Sequence, residues 1–256
     1  MKVQEIYDII DRDVPFSSAE SWDNCGILAG DPMQEAGKVL LALDITVPVI
    51  EEAHRLGIPL IISHHPVIFH PLKSVYSSSP VGLLLRYGIS AICTHTPFDM
   101  APKGMNKGLF DKLSAPLGLT GGEPLEDMGE GRCIGKIYDL AVPLYPKDIA
   151  ARCKAALGCT SLRYTDSGRL VRRAAISSGS GGSFISMAAQ RADALISGDF
   201  KHDSFIDALN MGFPIFDCGH YHTEIIFIEL MRDILSPCGI EVYASKESTD
   251  PAAYEI

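Results

Sequence analysis

The chain of 256 residues is long enough to bury one large core or two modest ones, and 46% of it is hydrophobic, which sets aside a disordered or low-complexity protein. Its 32 acidic against 22 basic residues leave a net charge of −10 with no basic run, so nucleic acid is disfavoured as a partner. No stretch approaches the roughly 20 apolar residues of a membrane-spanning helix, and Glu5, Asp8, Asp11 and Asp13 interrupt the start of the chain where a signal peptide would be apolar; no membrane role and a cytoplasmic location are expected.

Seven cysteines, an odd number without a Cys-x-x-Cys pair, suggest neither a disulfide framework nor a thiolate zinc finger. Any metal would be held by nitrogen and oxygen. In chain order, Val3, Ile6, Ile9 and Ile10 recur at helical spacing, and Pro15 ends that helix. The only tryptophan, Trp22, stands among the turn formers Ser21 to Gly26, ahead of a short strand Ile27–Ala29. It reads as a structural anchor. Lys38 to Thr46 is a buried strand, with Asp44 starting a turn; Pro48 to Leu56 is helical, and Gly57 caps it. The next strand, Ile58 to Ser63, runs straight into His64 and His65, and Pro66 stops its pairing. This is a βαβ unit, so the fold class is α/β with parallel strands.

The pattern repeats through a helix Val81–Tyr87 and a strand Ile89–Cys93 that ends in Thr94-His95-Thr96-Pro97-Phe98-Asp99. A helix from Gly104 to Leu113 follows. Glycines crowd between Gly118 and Gly135, where a domain junction is expected. Beyond it come a strand Lys136–Val142, a helix Pro146–Leu157 and a β-rich passage to Ser178. Ser178-Gly179-Ser180-Gly181-Gly182-Ser183 lies between a strand and the helix Phe184–Arg191; its spacing misses G-x-G-x-x-G, so it reads as a tight turn ahead of a phosphate loop. Strands at Ala194–Ile196 and Phe213–Phe216 flank a helix to Leu209. The second of them ends in Asp217-Cys218-Gly219-His220-Tyr221-His222-Thr223-Glu224, before a helix Ile225–Leu235 and a last strand Ile240–Ala244.

Three strands therefore end in metal-ligand side chains, and five of the eight histidines fall there. The crevice outside the carboxyl ends of parallel strands is where ligands bind in such sheets, so the three tips can converge. If Gly219 opens a helix, His220 and Glu224 stand one turn apart on one face. His64, His65, Asp99, His220 and Glu224 offer five donors, with His95 and His222 in reserve, whereas a catalytic zinc uses about three. Two metals sharing Asp99 or Glu224 fit better, about 3.5 to 4 Å apart with an oxygen that becomes hydroxide near neutral pH. Zinc, iron, manganese or nickel suits such donors.

The motifs Trp22-Asp23-Asn24-x-Gly26, Leu43-Asp44-x-Thr46, Ser63-His64-His65-Pro66 with Phe69, His95-Thr96-x-x-Asp99, Gly198-Asp199 and Gly219-His220-Tyr221-x-Thr223-Glu224 together resemble the dinuclear metal centre proteins known as the Nif-three-like or GTP cyclohydrolase type-two homologue family. The resemblance covers nearly the whole chain, in the short form without a central insertion. It implies metal ligands at His64, His65, Asp99, His220 and Glu224. It also implies two α/β lobes with mainly parallel or mixed sheets and the metals in the cleft between them, drawn as 1–125 plus 220–256 and 126–219. A toroidal homohexamer is implied as well. Pro97, and Asp203 after His202, depart from the family pattern. The expected function is a metal-dependent hydrolase acting through a bridging hydroxide on a small, nucleotide-like substrate, with His95, or alternatively His222, as proton shuttle. The alternative is a metal store or interaction scaffold without turnover.

Overall fold

A computed structural model describes residues 1–252. They divide into two compact units, Met1–Lys103 with Phe227–Thr249, and Gly104–Ile226 with the segment starting at Asp250.

The first unit opens with α1 (Val3–Asp13), which buries Val3, Ile6 and Ile10 and ends ahead of Pro15. After β1 (Gly26–Ala29), the βαβ unit forms as its pattern dictates, with β2 (Lys38–Ala42), α2 (Val47–Leu56) and β3 (Leu60–Ser63). Thr46 starts α2 by accepting from the Val49 amide at 3.4 Å. All four β3 residues are buried, which explains the unbroken apolar run. Next, α3 (Pro80–Tyr87) leads into β4 (Ser90–Cys93), parallel to β3 with Ser63 opposite Cys93. This register brings the carboxyl ends of β3 and β4, and so His64 and His95, to the same edge. Immediately after β4 comes α4 (His95–Met100), where the sequence pattern gave no helix.

In the second unit, α5 (Met105–Leu117) precedes β5 (Leu119–Gly129) and β6 (Arg132–Leu144), which pair antiparallel. The glycine-dense stretch offered as a domain junction is this long hairpin. Glu130 and Gly131 at its tip have φ of 55° and 76°, the two positive values that a tight type I′ turn needs. By contacts the division instead falls at Lys103/Gly104 and Ile226/Phe227, because α5 sends Leu109, Leu113 and Leu117 into the core beneath the second sheet. There follow α6 (Pro146–Leu157), β7 (Arg163–Tyr164), β8 (Val171–Ser180), α7 (Ile185–Ala189), β9 (Ala194–Gly198), α8 (His202–Met211), β10 (Ile215–Asp217) and α9 (His220–Glu224). The strand order is β5-β6-β8-β9-β10-β7, with β8, β9 and β10 parallel and the outer pairs antiparallel. One core holds Leu113, Ile149 and Cys153 from α5 and α6; another holds Ile185, Ala188 and Ala208 from α7 and α8.

The chain then returns to the first unit through α10 (Phe227–Leu235) and β11 (Glu241–Ala244). Here α10 packs on α1 and β2, and β11 pairs parallel with β2 to complete the order β1-β4-β3-β2-β11. Since β1 runs antiparallel to β4, this sheet is mixed as well. The expected helix Ile225–Leu235 starts at Phe227 as α10, and α9 ends ahead of it at Glu224. Among the described residues no helix is long and apolar enough to cross a membrane.

Candidate metal centre

In the first unit the imidazoles of His64, His65 and His95 bring one ring nitrogen each to within 4.8 Å of one another. His64 leaves the end of β3 with its ring fully buried beside Phe98 and Phe227, at centroid distances of 6.3 and 5.6 Å. Its Nε2 lies 3.6 Å from Asp99 Oδ1. Asp99 reaches it because α4 places His95 and Asp99 four residues apart on one helical face.

Carboxylates set the ring orientations. His65 Nδ1 lies 2.8 Å from Asp44 Oδ1, and His95 Nδ1 lies 2.7 Å from Asp23 Oδ1. An ionised carboxylate only accepts, so in each neutral imidazole the proton sits on Nδ1 and Nε2 carries the lone pair, the atom that could bind a cation or a proton. Asp23 is the more heavily engaged of the two. Its Oδ1 also accepts from the Asn24 amide at 2.7 Å, and its Oδ2 accepts from the Thr96 amide at 3.1 Å, the Thr96 hydroxyl at 2.5 Å and the Cys25 thiol at 3.0 Å. Burial pushes this carboxyl up, but the hydrogen bonds from His95, Cys25 and Thr96 more than offset it and hold it well below the usual carboxylate range.

A stability prediction follows for Asp23→Asn in chelator-treated protein. The variant should lose about 2 kcal/mol at pH 7, the scale of hydrogen bonds to a charged group. Because the folded value is lowered, the contribution is fully present above the unfolded value of about 4 and fades as pH falls through the folded value. Urea melts of both proteins should therefore converge below pH 4; an equal gap at pH 7 and pH 3 would contradict this account.

In the second unit the carboxyl ends of β8, β9 and β10 gather Gly179, Asp199 and the α9 motif. Gly219 precedes α9 as expected, and His220 Nε2 lies 2.9 Å from Glu224 Oε2. Asp199, just beyond β9, holds His220 Nδ1 at 2.7 Å. It does so from a left-handed backbone, φ 52°, braced by its amide donating to Asp217 Oδ1 at 3.1 Å. Asp217 also pairs with Arg163 and accepts from the Gly219 amide at 3.1 Å, which ties the β9 and β10 ends together. Gly179, also left-handed at φ 61°, lies against this pair. A Cβ placed there would stand 2.3 Å from Glu224 Oε1 and 3.3 Å from His220 Nε2. The glycine loop, read as a tight turn, thus also comes close to the Glu224 carboxylate.

The structure thus groups His64, His65, His95 and Asp99 in one unit, and His220 with Glu224 in the other. His222 pairs with a carboxylate of its own: it is 8% exposed, with Nε2 3.2 Å from Asp250 Oδ2. Asp23, Asp44, Asp199 and Gly179 had no assigned role in the sequence reading. A signal was available for the three aspartates, since each sits in a turn following or preceding a strand, in a motif shared with the resembled family.

These residues fit divalent metals. The donors are imidazole and carboxylate, three imidazoles have their second nitrogen fixed by a carboxylate as metal-bound histidines do, and Gly179 leaves the room that Glu224 requires.

A relative from Lactococcus lactis subsp. lactis, called GTP cyclohydrolase 1 type 2 homolog, is 34% identical, with 98% of both chains covered. One of the same description from Clostridium perfringens is 32% identical, again over 98% of each. The crystal structure of Staphylococcus aureus hypothetical protein SA1388 superposes with a TM-score of 0.90 at 29% identity, covering 100% of this chain and 99% of that one. The model of the family Duf34/NIF3 (NGG1p interacting factor 3) matches residues 1–251, and the chain belongs to that family.

Proposed function

We propose that the protein holds two divalent cations through His64, His65, Asp99, His220 and Glu224 and uses them to hydrolyse a small, nucleotide-like substrate. The observation that carries this reading is the repeated pairing of an imidazole Nδ1 with a carboxylate, at His65–Asp44, His95–Asp23 and His220–Asp199. Histidines that serve only packing or solvation need no such tether, whereas ligands gain orientation and basicity from it. Bound divalent ions would supply Lewis acidity and a water acidified toward neutral pH.

The chain's own part is positioning and proton transfer. With its Nδ1 proton directed at Asp23, His95 offers Nε2 to accept a proton, and the Asp23 carboxylate stabilises the imidazolium that results. His222, paired with Asp250, is the alternative shuttle. The relatives' description as GTP cyclohydrolase homologues supports a purine nucleotide as the first substrate to try. Assembly as a homohexamer in the cytoplasm completes the proposal.

A second reading, an interaction scaffold or metal store without turnover, is favoured by the family's description as an interacting factor. The experiment that separates the two is metal analysis of the native protein together with a screen of nucleotides, phosphoesters and cyclic amides. Turnover that disappears with chelator and returns with zinc, manganese, iron or nickel is expected. Two tightly held ions without turnover of any probe, or ions that exchange freely, would favour the scaffold or the store.

A further inference from the structure

The indole of Trp22 is 57% exposed and the ring of Phe69 39% exposed. Single exposed aromatics are ordinary, but these two are held in place while remaining wet. Trp22 stands on the turn that Asp23 locks through its contacts with Asn24, Cys25 and Thr96. The loop carrying Phe69 is fastened to the same turn, since Asn24 Nδ2 donates to the Ile68 carbonyl at 2.5 Å. Trp22 and Phe69 lie 6.0 Å apart by centroid and tilted by 49°. Both stand nearly perpendicular to His95, at 6.1 Å and 80° for Trp22 and 6.2 Å and 81° for Phe69.

We propose that Trp22 and Phe69 form a stacking wall beside His95, which makes the substrate class a planar heteroaromatic ring. A ring sandwiched between two others needs parallel faces about 7 Å apart, twice the carbon contact distance of ~3.5 Å. The 6.0 Å separation and 49° tilt leave no such slot, so the ligand stacks on the outer face of one ring and meets the edge of the other. Stacking tolerates any base, because every base has a π-face; selectivity among bases lies outside this wall. A sugar phosphate or an aliphatic amide gains nothing from it. The word substrate here rests on the hydrolase reading, whereas the stacking itself does not.

Trp22 is the sole tryptophan, so its fluorescence reports the contact directly. Guanosine and cytidine monophosphates should quench it in chelator-treated protein as well as in zinc-loaded protein, and ribose 5-phosphate should not. Phe69→Leu should weaken nucleotide binding about tenfold, as should Trp22→Leu followed by equilibrium dialysis, with unchanged circular dichroism as the check on folding. Equal responses to nucleotides and ribose 5-phosphate, or unchanged affinity in both folded variants, would overturn the proposal. So would a change in oligomeric mass on Trp22→Leu with no quenching by any probe, which would assign the rings to a contact between copies. If the protein proves to have no hydrolase activity, quenching by nucleotides survives; if the wall is wrong but the hydrolase reading right, turnover occurs with ring-free esters and quenching fails.

Discussion

Substituting alanine for His64 is expected to leave one tightly held divalent ion of the proposed two, with the lost site weakened by about 100-fold or more. Loss of an outer partner alone typically costs 10- to 100-fold in metal affinity, and His64 would be a direct ligand. Its ring is fully buried, with Asp99 and the Phe98 and Phe227 rings beside it, so bulk water is poorly placed to take over its role. The stoichiometry falls to one rather than zero because adjacent residues leaving a strand point in divergent directions. The His64 and His65 rings are inclined by 51°, and His65 keeps its own carboxylate, Asp44. Elemental analysis with competitive titration measures this, and melting of chelated protein separates metal loss from the packing cost of a smaller side chain, about 2 to 3 kcal/mol. Two ions retained at native affinity would remove His64 from the ligand set.

Gly179→Ala is the second large effect, and it removes no donor at all. The new methyl would fall 2.3 Å from Glu224 Oε1, and its φ of 61° is unfavourable for any side chain with a Cβ. The carboxylate must move, and with it the geometry it shares with His220. Metal affinity is expected to drop about 100-fold, comparable to loss of a ligand. Gly182→Ala three residues on is the control, since a Cβ there meets only the Ser204 hydroxyl at 3.7 Å, an ordinary contact. If the two alanine variants bind metal equally well, Gly179 is not needed to seat Glu224.

Several elements were legible because their causes are local. The βαβ unit followed from an apolar run, a helical face and a glycine stop within 25 residues, and α6 occupies the Pro146–Leu157 span read from its pattern. Failures came where a local signal has two structural meanings. Glycines around 118–135 mark a linker or a hairpin with equal force; the pairing of β5 with β6 decides, and that pairing spans residues far apart in the chain. In the same way α4 was missed because Pro97 breaks the usual pattern, although proline is tolerated in a first helical turn. His222 shows the converse: its residue type and place in the motif suit a site, yet its contact with Asp250 is set by chain 28 residues on.

The sequence by itself determined the candidate donors. Histidines and carboxylates placed at the ends of apolar strands are the residue types that a nitrogen- and oxygen-rich ligand site needs, and parallel strands deliver their carboxyl ends to one edge. Only the tertiary structure decided how those donors are held. Asp44 reaches His65 across 21 residues, Asp23 reaches His95 across 72, and Asp199 reaches His220 across 21. Periodicity registers which face of an element is buried; it carries no record of which distant side chain a ring nitrogen will meet. That choice is made when the strands pair and their ends come to lie side by side.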